Sequence, residues 1–109
     1  MTSLITTHVL DTARGRPAAG IPVQLQDADG VTLAAGVTDA DGRVGDLGPE
    51  VLEPGVYRLV FATDGYLDDV DGGGFYPSVT IDFRVAAGER HYHVPVLLSP
   101  WGYSTYRGS

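Results

Sequence analysis

Several residue types are missing from the 109-residue sequence, which contains no cysteine, lysine or asparagine. The absence of cysteine excludes disulfides, thiolate nucleophiles and zinc sites built on cysteine. The other two absences exclude a Schiff-base lysine and an N-glycosylation sequon. No apolar run approaches the roughly 20 residues that a transmembrane helix needs, and residues 1–4 lack the basic and apolar regions of a signal peptide. We therefore expect a soluble, cytoplasmic protein that does not bind a membrane.

Positive charge is also scarce. The chain has 14 acidic residues against 7 arginines, which gives a net charge of −7. Nucleic acids and anionic membranes are bound by basic surfaces, so neither is expected as a partner. Apolar residues make up 43% of the chain, enough for the core of one small domain, while 15 glycines and 7 prolines argue against a helical bundle.

Short alternating segments bounded by Gly, Pro and Asp predict an all-β protein of seven to eight strands. The turns between them recur every 8–12 residues or so, the spacing typical of a β-sandwich. The sequence predicts one domain over residues 1–109. Its strand segments are 4–10, 21–26, 31–38, 56–62, 79–84, 91–98 and 101–106.

Two local features refine that prediction. One short helix is expected over residues 63–70, with Thr63 or Asp64 as its cap and the glycines at 72–74 as its end. Proline cannot donate a hydrogen bond to a neighbouring strand, so Pro95 predicts that the strand at 91–98 lies at an edge or carries a bulge.

The three histidines are the candidates for acid–base chemistry, because imidazole titrates near neutral pH. His8 lies in the middle of a strand, and His91 and His93, two residues apart, face the same side of another. An isolated histidine is more often a structural or solvated strand residue than a catalytic one. A catalytic zinc site of three imidazoles is a further alternative that the spacing leaves open.

Arg43 and the C-terminal segment also leave two interpretations open. Arg43 either lies in solvent at the end of a hairpin or presents its planar guanidinium to a carbonyl-rich or anionic ligand. Residues 101–109 are aromatic and hydroxyl-rich to the last position, whereas chain ends usually fray. They form either a plain edge strand or a strand held in a sheet or an interface.

Five segments, in order along nearly the whole chain, carry recognisable motifs. They read TTHVLDT at 6–12, TDADGR at 38–43, FYP at 75–77, HYHVPVLLSP at 91–100 and YRGS at 106–109. Together they resemble the transthyretin-related family of 5-hydroxyisourate hydrolases. The terminal YRGS, together with His8, Arg43 and His93, distinguishes these hydrolases from transthyretin, their hormone-carrying relative.

The resemblance implies a transthyretin-like β-sandwich that forms a homotetramer, a dimer of dimers with active sites in the channel between the dimers. The implied reaction is hydrolysis of 5-hydroxyisourate to 2-oxo-4-hydroxy-4-carboxy-5-ureidoimidazoline in urate catabolism. We expect this reaction to need no cofactor and no metal.

The resemblance also implies which residues act. His8 and His93 would position and activate water, and Arg43 would bind the oxygens of the heterocycle. Ser109 would orient substrate or water through its hydroxyl or terminal carboxylate. The substrate-binding residues would be His8, Arg43, His93, Tyr106, Arg107, Gly108 and Ser109. His91 ranks second to His93, and a non-catalytic carrier of a small aromatic ligand is the alternative function.

Overall fold

Nine strands arranged in two sheets are formed within residues 3–68 and 73–109, the part of the chain that the computed structural model describes. The longer strands arise where β-branched or aromatic residues alternate with polar ones. The strands are β1 (Ile5–Asp11), β2 (Arg16–Pro17), β3 (Pro22–Asp27), β4 (Thr32–Val37), β5 (Arg43–Val44), β6 (Gly55–Phe61), β7 (Val79–Val85), β8 (Tyr92–Ser99) and β9 (Gly102–Thr105).

The first sheet has the strand order β2-β1-β8-β9, and β5 also pairs with β1. Strand β8 runs parallel to β1 along its whole length, so β2 and β5 share the opposite edge of β1. The second sheet has the order β4-β3-β6-β7 and is antiparallel throughout. Two strands that are distant in sequence, β1 and β8, thus lie side by side in the first sheet.

The core combines the inward-facing residues of both sheets in one cluster. Val9 and Val96 from the first sheet, and Leu25, Leu59 and Phe61 from the second, are completely buried. Burying a side chain of this size contributes about 1.5–3 kcal/mol. Because side chains alternate along a strand, the residues between these positions on β1 and β8 face outward.

The predicted all-β sandwich is confirmed, and the predicted short helix is wrong over the residues described. Residues 64–68 form turns, with one helix-like hydrogen bond from the Leu67 N–H to the Thr63 carbonyl at 3.1 Å. The Thr63 hydroxyl donates to the Tyr76 carbonyl at 3.3 Å instead of capping a helix. Gly65 and the high cost of nucleating a single turn explain why residues 63–68 do not form a helix. Residues 69–72 lie outside the described part.

The prediction that Pro95 marks an edge strand or a bulge is also wrong. Strand β8 lies between β1 and β9, with no register shift. Its register with β9, continued past Val96, places Pro95 opposite Tyr106 and reaches the bridge between His93 and Gly108. Proline therefore interrupts the ladder in the interior of a sheet, and the Thr105 hydroxyl donates to the Pro95 carbonyl at 2.8 Å.

Within the described residues, no helix is long and apolar enough to cross a membrane.

Candidate active site

Strand register places three of the candidate residues on the outer face of the first sheet. His8 on β1 lies opposite Arg43 on β5, and Thr6 on β1 lies beside His93 on β8. Thr7, between Thr6 and His8, is turned toward the core and is 1% exposed. The alternation therefore points Thr6 and His8 to the side that His93 faces. The rings of His8 and His93 have their centroids 6.5 Å apart.

A tight turn carries Arg43 to this face. The Asp39 carboxylate accepts the backbone N–H groups of Asp41 at 2.9 Å and Arg43 at 3.0 Å. Gly42 adopts a φ of 76°, and its carbonyl accepts the Val9 N–H at 2.7 Å. An added Cβ at Gly42 would collide with the Val9 carbonyl oxygen. The Asp-x-x-Gly-Arg sequence therefore closes the turn against β1 and delivers Arg43 beside His8.

The charge of Asp39 is stabilised by the residues it positions. The hydrogen bond from the Arg43 N–H is the main cause that lowers the Asp39 pKa, and the Asp41 N–H adds to it. Desolvation, the second-largest effect, raises this pKa, and electrostatic interactions with Arg43 and His8 lower it further. Asp39 thus remains ionised next to the cationic side of the site.

The surroundings of His93 lower the pKa of its imidazole ring. Partial burial is the main cause that lowers its pKa, followed by the nearby Arg43, His8 and His91. These effects favour the neutral ring at neutral pH. A neutral imidazole can accept a proton, which is the property that a general base requires.

The Thr6 hydroxyl joins two of the histidines. Its Oγ1 lies 2.8 Å from Nδ1 of His93 and 2.9 Å from Nε2 of His91. The two rings are nearly parallel, with an interplanar angle of 17° and centroids 6.3 Å apart. Thr6 was not among the predicted site residues, although its position two residues before His8 on a strand places it on the same face.

The C-terminal tail completes the site. The Gly108 N–H donates to the His93 carbonyl at 2.8 Å, and a Cβ added to Gly108 would lie 2.6 Å from Cδ2 of the His93 ring. Ser109 then reaches a cavity of about 260 Å³. The cavity is lined by Thr6, Thr7, Arg43, Val44, Gly45, His91, His93 and Ser109.

The other two tail residues lie on the far side of His93. Tyr106 is 58% exposed, and the Arg107 guanidinium lies over the Tyr92 ring, 4.6 Å from its centroid. Arg107 also approaches Glu89, with Nη2 3.6 Å from Oε2. Both Tyr106 and Arg107 line a second cavity of about 260 Å³ that His93 borders as well. Tyr106 and Arg107 therefore line a second cavity and not the one that Ser109 reaches, and His93 borders both cavities.

A metal centre is not formed by the described residues. Over 3–68 and 73–109, no three side chains of His, Cys, Asp or Glu converge in an arrangement that could hold a metal ion. His91 and His93 both direct a ring nitrogen to the Thr6 hydroxyl rather than to a common centre with His8. The three-imidazole zinc alternative therefore lacks the geometry that it needs.

Comparison with known proteins gives a consistent result. A family model described as "HIUase/Transthyretin family" matches residues 5–108. A 5-hydroxyisourate hydrolase of Caulobacter vibrioides is 46% identical over 112 residues, covering 96% of this chain and 97% of that protein. The structure of Klebsiella pneumoniae 5-hydroxyisourate hydrolase is similar with a TM-score of 0.88 and 39% identity, over 98% of this chain and 99% of that one. Transthyretin from Sparus aurata is similar with a TM-score of 0.87 and 32% identity, over 96% of each chain.

Proposed function

The chain belongs to the HIUase/transthyretin family, and from this premise we propose that it is a hydrolase that converts 5-hydroxyisourate to 2-oxo-4-hydroxy-4-carboxy-5-ureidoimidazoline in urate degradation. The observation that carries the proposal is the set of groups around one cavity: the Arg43 guanidinium, the His93 imidazole and Ser109, with His8 beside His93. The names of the similar proteins support the same activity.

Hydrolysis of a cyclic amide needs three things that these residues can supply. Water must lose a proton, the carbonyl oxygen must be stabilised as negative charge develops, and the leaving nitrogen must gain a proton. In our proposal the neutral His93 accepts the proton from water, and the resulting hydroxide attacks the ring carbonyl. The C–N bond then breaks, and the proton passes from imidazole to the leaving nitrogen.

The remaining residues assist this step. Arg43 would bind the heterocycle through paired hydrogen bonds and stabilise the oxyanion, as a guanidinium does with planar anionic groups. His8 lies close enough to His93 to orient the attacking water, and Ser109 would hold substrate or water at the edge of the cavity. We assign Tyr106, Arg107 and Gly108 to the wall of the site, where Gly108 touches His93 directly. The reaction as written uses no metal and no cofactor.

A carrier role is the weaker alternative. A pocket for a small aromatic ligand is usually lined mainly by apolar side chains. The cavity here is lined by Val44 and Gly45 and by six residues with polar side chains, namely Thr6, Thr7, Arg43, His91, His93 and Ser109. That lining suits a polar heterocycle with several carbonyl groups better than an apolar ring.

We further propose that the active form is a cytoplasmic homotetramer, a dimer of dimers. Strand β9 is the edge of the first sheet; Tyr103 on this strand is 40% exposed, and Trp101 just before it is 70% exposed. Phe75, Tyr76 and Tyr103 form an edge-to-face aromatic cluster on the same surface. Pairing of such an edge between copies would cover these rings and remove an open edge. The mass in solution, measured by light scattering, tests the tetramer; a stable monomer would contradict it.

The test of the activity compares Arg43→Ala with Arg58→Ala. Arg58 lies on the second sheet, paired with Asp82 at 2.8 Å, so its replacement removes the same charge away from the cavity. With freshly generated 5-hydroxyisourate, we expect wild type and Arg58→Ala to accelerate the loss of its ultraviolet absorbance. Arg43→Ala is expected to lose at least 10²-fold in kcat, the order of magnitude of a lost oxyanion-stabilising group. Full activity of Arg43→Ala would refute its role.

A further inference from the structure

The contact between one hydroxyl and two imidazoles restricts where the protons can lie. Thr6 Oγ1 is within 2.9 Å of both His93 Nδ1 and His91 Nε2. A hydroxyl has one proton to donate and lone pairs to accept, and a neutral imidazole carries its proton on only one nitrogen. With both rings neutral, Thr6 can donate to one of these nitrogens while it accepts an N–H from the other.

Only one of the two arrangements leaves His93 able to act as a base. Because Nδ1 of His93 faces Thr6, Nε2 is the nitrogen left to meet water. For Nε2 to hold a free lone pair, Nδ1 must carry the proton and donate it to Thr6. The Thr6 hydroxyl must then donate to Nε2 of His91, which acts as the acceptor at the end of the chain of hydrogen bonds.

We propose that Thr6 is a positioning residue that, with His91 as its hydrogen-bond acceptor, holds His93 in the Nδ1–H tautomer so that Nε2 is the basic nitrogen. This inference rests on the proposed hydrolase function. It gives His91 a definite role, because its Nε2 accepts the hydrogen bond that the Thr6 hydroxyl donates. Thr6 and His91 together act as the aspartate does in a Ser-His-Asp triad, where a hydrogen bond to Nδ1–H fixes the tautomer of the histidine.

The surroundings hold this arrangement in place. Thr6 is 8% exposed and β-branched, so its hydroxyl has few orientations available. Gly108 packs against the edge of the His93 ring at Cδ2, which limits rotation of the ring away from Thr6. The parallel pairing of β1 with β8 keeps Thr6 beside His93.

The charged and titratable groups around His93 favour its neutral state. Partial burial lowers its pKa most, and Arg43 from β5, His8 from β1 and His91 on its own segment lower it further. Ser109 from the tail lines the same cavity, and Arg107 from the tail is directed to Tyr92 instead. A neutral imidazole carries its proton on either Nδ1 or Nε2. The Thr6 hydroxyl lies at hydrogen-bond distance from Nδ1 of His93, so it can determine which nitrogen holds the proton.

The test replaces the hydroxyl and reads the tautomer without substrate. Thr6→Val keeps the shape and removes the hydroxyl, whereas Thr6→Ser keeps the hydroxyl. In protein with ¹⁵N-labelled histidine, the shifts of the two ring nitrogens distinguish N–H from a bare nitrogen. We expect wild type and Thr6→Ser to carry the His93 proton on Nδ1, and Thr6→Val to show a mixture of tautomers.

The kinetic expectation follows from the tautomer. Thr6→Val should lower kcat at least about tenfold with little change in KM, while Thr6→Ser should restore most of it; a wrong tautomer in a serine protease costs up to about 10⁴-fold. His91→Phe keeps a stacked ring but removes the acceptor, and we expect it to shift His93 toward Nε2–H with a similar loss of kcat. This second variant tests the proposal if Thr6→Val does not fold.

Two results would overturn the proposal. One is a wild-type His93 that carries its proton on Nε2; the other is an unchanged kcat in both Thr6→Val and His91→Phe. If wild type has no hydrolase activity, the proposed function fails, yet the nitrogen shifts still decide whether Thr6 sets the tautomer. The two failures are therefore distinguishable.

Discussion

Replacement of Gly108 by alanine tests how closely the C-terminal tail positions His93, the proposed general base. A Cβ at Gly108 would lie 2.6 Å from Cδ2 and 3.3 Å from Cγ of the His93 ring, and 3.2 Å from Cγ of Pro95. Non-bonded carbon atoms prefer about 3.5–4.0 Å, so the ring or the tail must move by about 1 Å. Gly108 does not have a positive φ, so alanine adds no backbone strain of its own. The perturbation is therefore steric and local.

Either movement displaces a group that the proposed reaction uses. If the ring moves, Nε2 of His93 leaves its position; if the tail moves, Ser109 leaves the cavity. A misplacement of about 1 Å costs roughly 10²-fold in rate, equivalent to about 2.7 kcal/mol in the activation barrier. The core between the two sheets is untouched, so we expect the variant to remain folded.

The assay compares kcat and the melting temperature of Gly108→Ala with those of Gly102→Ala. Gly102 lies on β9, and its added Cβ would meet only the Ser99 hydroxyl at 3.9 Å, an ordinary contact. We expect about a 10²-fold lower kcat in Gly108→Ala and near wild-type activity in Gly102→Ala. A fully active Gly108→Ala, or an equal loss of kcat in both variants, would show that the contact of Gly108 with His93 does not control the activity.

Three further predictions concern the charge, the turn and the tail. Because the pKa of His93 is lowered from 6.5 and His93 must be neutral to act as a base, kcat/KM should rise with pH to a plateau, with its midpoint below pH 6.5. Arg43→Gln removes a positive charge that lowers this pKa, so it should move the midpoint of any residual activity to higher pH. A wild-type midpoint above pH 6.5 would contradict this prediction. The same shift makes the folded state less stable as pH falls from 6.5 through the lowered pKa, because the unfolded chain then binds the proton more readily. Gly42→Ala should lower the free energy of unfolding by about 1–3 kcal/mol, because φ is 76° at this position and the added Cβ would collide with the Val9 backbone carbonyl. Gly65→Ala is the control, since its Cβ would have no atom within 4 Å and should leave the stability unchanged. Chemical denaturation of both variants measures the difference. A peptide extension after Ser109 should reduce kcat more than the same extension at the N-terminus, and equal activities would count against a role for Ser109 in the cavity.

The strands could be predicted because their signal is local. Alternation in β3, β6 and β7 and the Gly, Pro and Asp turns between strands are visible within windows of a few residues. Strands β2 and β5, with two residues each, are too short to show a period. The helix expected near Thr63 failed because a capping residue and a glycine stop do not pay the cost of starting a helix without a longer favourable run.

The composition of the candidate site was predicted from motifs, whereas its internal contacts depend on long-range register. Thr6 and His93 are 87 residues apart in sequence, and only the parallel pairing of β1 with β8 brings them into contact. The contact of the Arg107 guanidinium with the Tyr92 ring likewise depends on the tail lying beside β8. No local pattern encodes which strand becomes the neighbour of which, so Thr6 was missed.

The loss of 5-hydroxyisourate absorbance, measured with wild type and with His93→Ala, tests whether this protein hydrolyses 5-hydroxyisourate with His93 as the base. Fresh substrate is generated from urate with urate oxidase, and its spontaneous decay without protein is the baseline. We expect rapid decay with wild type and decay near the baseline with a folded His93→Ala. A wild-type protein that leaves the baseline unchanged, or a fully active His93→Ala, would contradict it.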